Sequence, residues 1–377
     1  MRSWDPSPID AYRGLEAGDE RYRARPSNGA AALADRIGAD PTPVAMTGPI
    51  GSGKSTEAAA AVGILNQRGW LAYAFDVDEV VGEGSALTAP LLHFGLAAKL
   101  LEALSTSPDA TETPTQSLVR DLRASDPRFS RGFGLVRDTD ELARAAATEL
   151  SRAHGGRKIA VLIDGLDRVP DDVARPIALS LTDVSPAIRT AAIVSPALAY
   201  GEEAFLLLDR VRPFGIGNLD PELAEARAFL VELARARGET AEVGVIERAA
   251  RASGGVPRGF LRLLGAARMY ARVADRDEPL EADVESGEQD HMDGLRRLLL
   301  RGDLAVIREA EGTDGVEVPS EKRARLLTHG LLVEYGTPPD VTVRAHPLVR
   351  RLAERGGAWP VSTPSEGKPS ARKPRRR

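Results

Sequence analysis

The sequence contains no cysteine, which excludes disulfide bonds, thiol catalysis, cysteine-ligated zinc and iron–sulfur clusters. Histidine is scarce, with five in 377 residues, and no two of them are three or four positions apart, so a metal-binding pair on one helix face is not expected. The sequence has no uninterrupted apolar run of about 18 residues and no N-terminal apolar segment of signal-peptide length. We therefore expect a cytoplasmic protein with no membrane contact.

Charge of one sign does not dominate, because 50 Lys and Arg residues and 55 Asp and Glu residues leave a net charge of −5. A uniformly basic nucleic-acid-binding surface is excluded by this balance, whereas a local basic patch is not. Apolar residues make up 42% of the chain, which is enough for a sizeable core, and the length allows two or three domains.

Short apolar runs alternate with helical patterns through the first half of the chain, and this alternation predicts an α/β fold with a parallel sheet. After Pro221 the pattern becomes helical, and it ends in three helices followed by two short strands, the order of a winged helix. The acidic stretch 275–290 is predicted to be a linker. The expected divisions are an N-terminal extension (1–28), a phosphate-binding core (29–220), a helical lid (221–275), the linker and winged helix (276–355) and a disordered basic tail (356–377).

The most specific motif is GPIGSGKS at 48–55, here called the phosphate loop, which matches G-x-x-x-x-G-K-[ST] between a predicted strand and a predicted helix. Its glycines let successive backbone N–H groups point into one concavity, and the following helix adds its positive N-terminus. Lys54 is expected to reach the β- and γ-phosphates of ATP, and Ser55 to ligate Mg²⁺. The predicted nucleotide-binding residues are Gly48, Pro49, Gly51, Ser52, Gly53, Lys54, Ser55 and Thr56.

A second motif is the apolar strand that ends in Asp164, whose carboxylate is predicted to hold Mg²⁺ directly or through water. A later strand, 190–194, ends at Ser195, which is either a γ-phosphate sensor or an ordinary strand end. Arg210 and Arg212 follow, and they either reach into a neighbouring subunit's site or lie on the surface.

A third motif is SGGVPR at 253–258, in which Gly255 and Pro257 predict a tight turn leading into a helix. This turn directs Arg258 toward the core, where it is expected to contact the nucleotide.

Together, the phosphate loop, the strand ending in Asp164, the SGGVPR turn and the winged helix resemble the STAND and origin-recognition side of the AAA+ ATPases, over about residues 28–352. The resemblance implies ATP and Mg²⁺ binding, a lid controlled by nucleotide, and assembly with a protein partner or with further copies. Many hydrolytic members have a glutamate directly after the strand-end aspartate, and this chain has Gly165 there. Asp167 is the candidate substitute, with a helix cap or turn residue as the alternative, so hydrolysis is expected to be slow.

These features predict a regulatory switch ATPase, with bacterial signalling, stress or defence as a setting by analogy only. A DNA-associated AAA+ loader or regulator is the alternative, in which Lys322, Arg323 and Arg325 and the basic tail contact DNA. The other interpretation of those three residues is a solvated helix face. A small-molecule kinase is a further, minor alternative, and His346 is predicted to be a packing residue.

Overall fold

A computed structural model describes residues 18–27, 29–81, 87–105, 113–125, 138–200, 204–311, 321–337 and 340–356. The predicted tail beyond residue 356 and most of the predicted N-terminal extension lie outside these residues. Within the described ranges, none of the helices combines the length and the apolarity needed to cross a membrane.

The core is a five-stranded, fully parallel sheet in the order β2-β3-β4-β1-β5, which confirms the predicted α/β fold. Its central strands are almost continuously apolar and buried, as expected of a parallel sheet that is covered on both faces. The strands are β1 (Val44–Thr47), β2 (Leu71–Asp76), β3 (Ile159–Asp164), β4 (Ile188–Ile193) and β5 (Arg212–Gly215).

Helices cover both faces of the sheet, and strand β3 shows how its residues are divided between them. Val161 and Ile163 belong to the core formed with α4, α6 and α7, whereas Leu162 belongs to the core formed with α1 and α2. This alternation follows from the two-residue period of a strand. The helices of this part are α1 (Gly29–Ala39), α2 (Lys54–Gln67), α3 (Val77–Val81), α4 (Ala89–Ser105), α5 (Pro114–Ser125), α6 (Thr139–Ala153), α7 (Asp171–Val184), α8 (Pro196–Tyr200) and α9 (Ala204–Leu208).

The helical region and the C-terminal hairpin share one hydrophobic core, which extends from Leu219 to Ala353. The last three helices before the hairpin, followed by its two antiparallel strands, have the predicted winged-helix order. The elements are α10 (Ala224–Ala236), α11 (Val243–Ala252), α12 (Pro257–Val273), α13 (Glu281–Leu298), α14 (Asp303–Ala310), α15 (Glu321–Thr328), β6 (Leu332–Thr337), β7 (Asp340–Ala345) and α16 (Pro347–Arg355).

The prediction that the acidic stretch 275–290 is a linker is wrong for the larger part of the stretch, because helix α13 begins at Glu281. Two of its acidic residues are buried and paired: Asp283 with Arg276 at 2.6 Å, and Glu288 with an arginine on each of two neighbouring helices. Asp283 also accepts from the backbone N–H of Leu280 at 2.7 Å and so caps the helix. The high content of acidic residues led to the prediction of a linker, but these ion pairs let the helix pack against its neighbours.

His346 is buried at the start of α16, where its Nδ1 accepts a hydrogen bond from the backbone N–H of Leu348 at 3.2 Å. Its ring also stacks on His291, with centroids 5.8 Å apart. Burial lowers the pKa of His346 to about 3, so the ring is neutral at pH 7. These contacts support the predicted packing role.

Candidate functional site

A cavity of about 520 Å³ lies between the phosphate loop, the carboxyl ends of β2 and β3, and helices α10 and α12. This volume is in the range of sites that bind small molecules and cofactors. The phosphate loop contributes 50–55, and Thr56 follows at the first turn of α2. The other lining residues are Tyr22, Arg23, Arg25, Glu57, Asp76, Asp164, Asp167, Arg168, Phe229, Leu233, Arg237, Pro257, Arg258 and Leu261.

Lys54 begins helix α2, and its side chain turns back into the phosphate loop. Its Nζ donates to the carbonyl oxygens of Gly48 at 2.9 Å and Pro49 at 3.2 Å, and lies 3.2 Å from the Asp167 carboxylate. The ammonium group is thereby held, with its side chain buried, at a helix N-terminus. This arrangement concentrates positive potential where the motif is expected to bind phosphate.

The SGGVPR turn touches the phosphate loop directly, because the backbone N–H of Arg258 donates to the carbonyl oxygen of Gly51 at 3.2 Å. Gly51 has φ +83°, and a Cβ at this position would lie 2.8 Å from the Cβ of Arg258. A glycine is therefore required for the start of α12 to approach the loop this closely. The turn itself depends on Gly255, where a Cβ would lie 1.7 Å from the carbonyl oxygen of Leu219.

Carboxylate oxygens line the cavity where β2 and β3 end. Ser55 and Asp164 both line the cavity, and burial raises the pKa of Asp164 while the nearby Ser55 hydroxyl opposes the rise. Within the described ranges, no group of three or more His, Asp or Glu residues is placed to hold a metal ion by itself. Mg²⁺ is usually bound by one or two carboxylates together with phosphate oxygens and water, and the donor set of Ser55 and Asp164 fits that mode.

Asp167 lies in the 3₁₀ turn Leu166–Arg168 that follows β3, and this turn places its carboxylate in the cavity beside Lys54. The structure therefore brings together the predicted residues Lys54, Ser55, Asp164, Asp167 and Arg258.

Ser195 is placed differently, since it is not part of the cavity lining. Its hydroxyl donates to the Asp171 carboxylate at 2.6 Å and accepts from the backbone N–H of Leu198 at 3.0 Å. The side chain thus joins the start of α7 to the start of α8, the contacts of an ordinary strand end.

We expect Ser195→Ala to leave the rate of ATP hydrolysis within about twofold of the parent chain while lowering the free energy of unfolding by about 1 kcal/mol, the usual cost of losing a helix cap. Phosphate release and thermal unfolding measure the two quantities. A large loss of hydrolysis with unchanged ATP affinity would instead favour the sensor role.

The remaining candidate cations make contacts within the chain or lie at the surface. Arg212, on β5, contacts the Asp40 carboxylate at 2.5 Å, and Arg210 is exposed in the turn before it. On α15, Arg325 lies 2.5 Å and Lys322 3.8 Å from the buried carboxylate of Asp303. The third residue of this set, Arg323, is itself buried. Arg323 and Arg325 are therefore engaged within the C-terminal module, whereas Lys322 is exposed and pairs only loosely with Asp303.

Sequence patterns did not single out the segment before α1, which closes one side of the cavity. Arg25 is buried, and its guanidinium donates to the carbonyl oxygens of Ser52 at 2.8 Å and Gly217 at 2.7 Å. Tyr22 lies beside it, with its hydroxyl 3.5 Å from the buried carboxylate of Glu57 on α2. The sequence signal that could have pointed to this segment was Glu57, an acidic residue in an alanine-rich helix. The contacts of Arg25 gave no local signal, because they join positions far apart in the chain.

No protein-family model matches the sequence, and no curated protein matches it. Among solved structures, the chain is similar to the ORC2 protein of Aeropyrum pernix in its ADPNP–ADP complexes, with a TM-score of 0.51 and 14% identity over 92% of this chain and 95% of that one. It is also similar to a Walker-type ATPase of Pyrococcus abyssi, with a TM-score of 0.54 and 15% identity over 91% and 98% of the two chains. At these identities the similarity concerns the fold, and it agrees with the resemblance to origin-recognition proteins predicted from the motifs.

Proposed function

We propose that the chain is a regulatory switch that binds ATP with Mg²⁺ and hydrolyses it slowly. The observation that carries this proposal is the shared cavity, in which the phosphate loop, the Asp164 carboxylate and the start of α12 meet. A nucleotide bound there contacts both the sheet and the helical region, so its phosphates can influence how the two regions pack.

The lining of the cavity suits the chemical parts of ATP. Apolar side chains from α10 and α12, with the ring of Tyr22, offer surfaces on which a base can stack. The backbone N–H groups of the phosphate loop and the Lys54 ammonium suit the phosphates. Ser55 and Asp164 would hold Mg²⁺, which would neutralise phosphate charge during hydrolysis.

The SGGVPR turn also contacts the C-terminal hairpin, which gives the nucleotide a physical route to a distant surface. The Tyr335 hydroxyl donates to the carbonyl oxygen of Gly254 at 2.9 Å. Nearby, the backbone N–H of Asn218 donates to the carbonyl oxygen of Glu334 at 3.1 Å, and that of Leu219 to the carbonyl oxygen of Gly255 at 3.2 Å. We infer that movement of α12 on nucleotide binding is passed to this hairpin, and that assembly with a protein partner or a second copy is the output.

Hydrogen exchange tests the proposal. We expect ATP with Mg²⁺ to slow exchange in the phosphate loop, at 254–258 and in the hairpin at 332–336. In Tyr335→Phe, the hairpin should lose most of its response while ATP affinity stays within about threefold, because one hydrogen bond worth about 1 kcal/mol is removed from the route.

Tyr270→Phe is the matched control, since the Tyr270 hydroxyl donates to the exposed side chain of Asp290 at 2.6 Å, within the helical region. An unchanged hairpin response in Tyr335→Phe would refute the proposed route. Failure of ATP to protect the phosphate loop in the parent chain would refute nucleotide binding itself.

A further inference from the structure

Neighbouring atoms fill the space that a side chain at position 165, directly after Asp164, would occupy. Gly165 has φ +97°, and a Cβ built on it would lie 2.5 Å from Nη2 of Arg168 and 3.0 Å from Cγ1 of Val77. A glutamate at this position is therefore incompatible with the observed placement of the Arg168 guanidinium. Gly165 thus belongs to a local arrangement in which Arg168 occupies the space that a glutamate side chain would need. The role of that glutamate in hydrolysis has to be sought in neighbouring carboxylates.

The Arg168 guanidinium is held by a carboxylate on the adjacent strand. Its Nη2 donates to the Asp76 carboxylate, and its Nη1 lies 3.9 Å from the carboxylate of Asp78. Asp76 is the last residue of β2 and is directly opposite Asp164 in the parallel β2–β3 register. Residues opposite each other in a sheet project from the same face, so both carboxylates stand at the same end of the cavity.

Four acidic residues line the cavity in the described part of the chain, and three of them have other contacts that define their roles. Asp164 is the magnesium ligand proposed together with Ser55, Asp167 lies 3.2 Å from the Lys54 ammonium, and Glu57 lies beside Tyr22. The fourth acidic residue, Asp76, is held next to Asp164 by the Arg168 guanidinium, which fills the space after β3.

We propose that Asp76 is the catalytic carboxylate that accepts a proton from the attacking water in ATP hydrolysis, and that Arg168 is the residue that positions it. This inference rests on the proposed function. The water oxygen forms a bond to the γ-phosphorus, and the bond from that phosphorus to the β–γ bridging oxygen breaks. ADP retains the electron pair, and the water proton passes to Asp76 and then to solvent, so the products are ADP, inorganic phosphate and a proton.

The test separates ATP affinity from turnover in the full chain. Asp76→Asn should reduce kcat about 100-fold, the usual contribution of a general base, with the Kd for ATP within about threefold of the parent value. Arg168→Ala should also lower kcat without weakening ATP binding, and Arg168→Lys should recover part of the rate, because a shorter cation can still pair with Asp76. Glu79→Gln is the control, since Glu79 is exposed on α3 and does not line the cavity.

Preserved ATP affinity and thermal unfolding show that each variant is folded. Normal turnover in Asp76→Asn overturns the proposal, as does faster turnover in Arg168→Ala or a parent chain that binds ATP without hydrolysing it. Loss of turnover in Asp167→Asn with normal turnover in Asp76→Asn would assign the proton acceptor to Asp167 instead. A parent chain that does not bind ATP refutes the proposed function, which is a separate result.

Discussion

Lys54→Ala is expected to weaken ATP binding by about 100-fold, because a charge-assisted contact to phosphate is worth about 1.5–3 kcal/mol and the variant supplies no other cation from α2. In the parent chain the ammonium is held at the mouth of the phosphate loop by Gly48, Pro49 and Asp167. Binding of phosphate has only to exchange the two carbonyl oxygens for phosphate oxygens, so the cation is already in place. Titration with a fluorescent ATP analogue measures the change.

The control for this experiment is Lys99→Ala, because Lys99 lies on α4 and pairs loosely with Glu102 at 3.9 Å. Its removal should leave the Kd for ATP unchanged. Thermal unfolding of Lys54→Ala separates a binding defect from a folding defect. Equal ATP affinity in the parent chain and in Lys54→Ala would rule out the phosphate loop as the nucleotide site.

Arg25→Ala is expected to lower the free energy of unfolding by about 3 kcal/mol, the usual cost of removing one partner from a buried charged network. The variant leaves the carbonyl oxygens of Ser52 and Gly217 without this donor, and it removes a cation whose charge favours the ionised form of the buried Glu57. ATP affinity should fall as well, because one of these carbonyls belongs to the phosphate loop. Denaturant unfolding and ATP titration measure the two effects.

The destabilisation of Arg25→Ala should also depend on pH. Burial raises the pKa of Glu57, and Arg25 opposes this rise, so in the variant the carboxylate becomes harder to ionise. A carboxyl whose folded-state pKa is raised contributes stability below its unfolded pKa and loses it as the pH rises through the folded value. The difference in stability between parent and variant should therefore be largest at neutral pH and should shrink toward the ordinary pKa range of glutamate.

Arg23→Ala is the matched control, because Arg23 also lines the cavity but, within the described part of the chain, donates to the nearby carbonyl oxygens of Glu20 and Tyr22, each at 2.7 Å. We expect it to change the free energy of unfolding by less than about 1 kcal/mol. If Arg25→Ala were as stable as Arg23→Ala at neutral pH, the buried guanidinium would not be what fixes the segment before α1 against the phosphate loop.

The features that depend on local spacing could be predicted from the sequence. Apolar runs alternating with helical patterns predicted the parallel sheet, and the glycines, Lys54 and Ser55 predicted the phosphate loop between β1 and α2. The order of three helices followed by two C-terminal strands was also predicted. These features could be predicted because strand periodicity, turn conformation and helix N-terminal chemistry involve residues close together in the chain.

The sequence by itself determined the parallel sheet, the phosphate loop and the strand that ends in Asp164, because each is specified by neighbouring residues. Only the tertiary structure decided that Arg25 bridges the phosphate loop to Gly217, that Arg168 fills the space beside Gly165, and that acidic α13 is a packed helix. The physical reason is that a buried charge is tolerated only where its partner meets it, and these partners lie in distant parts of the chain.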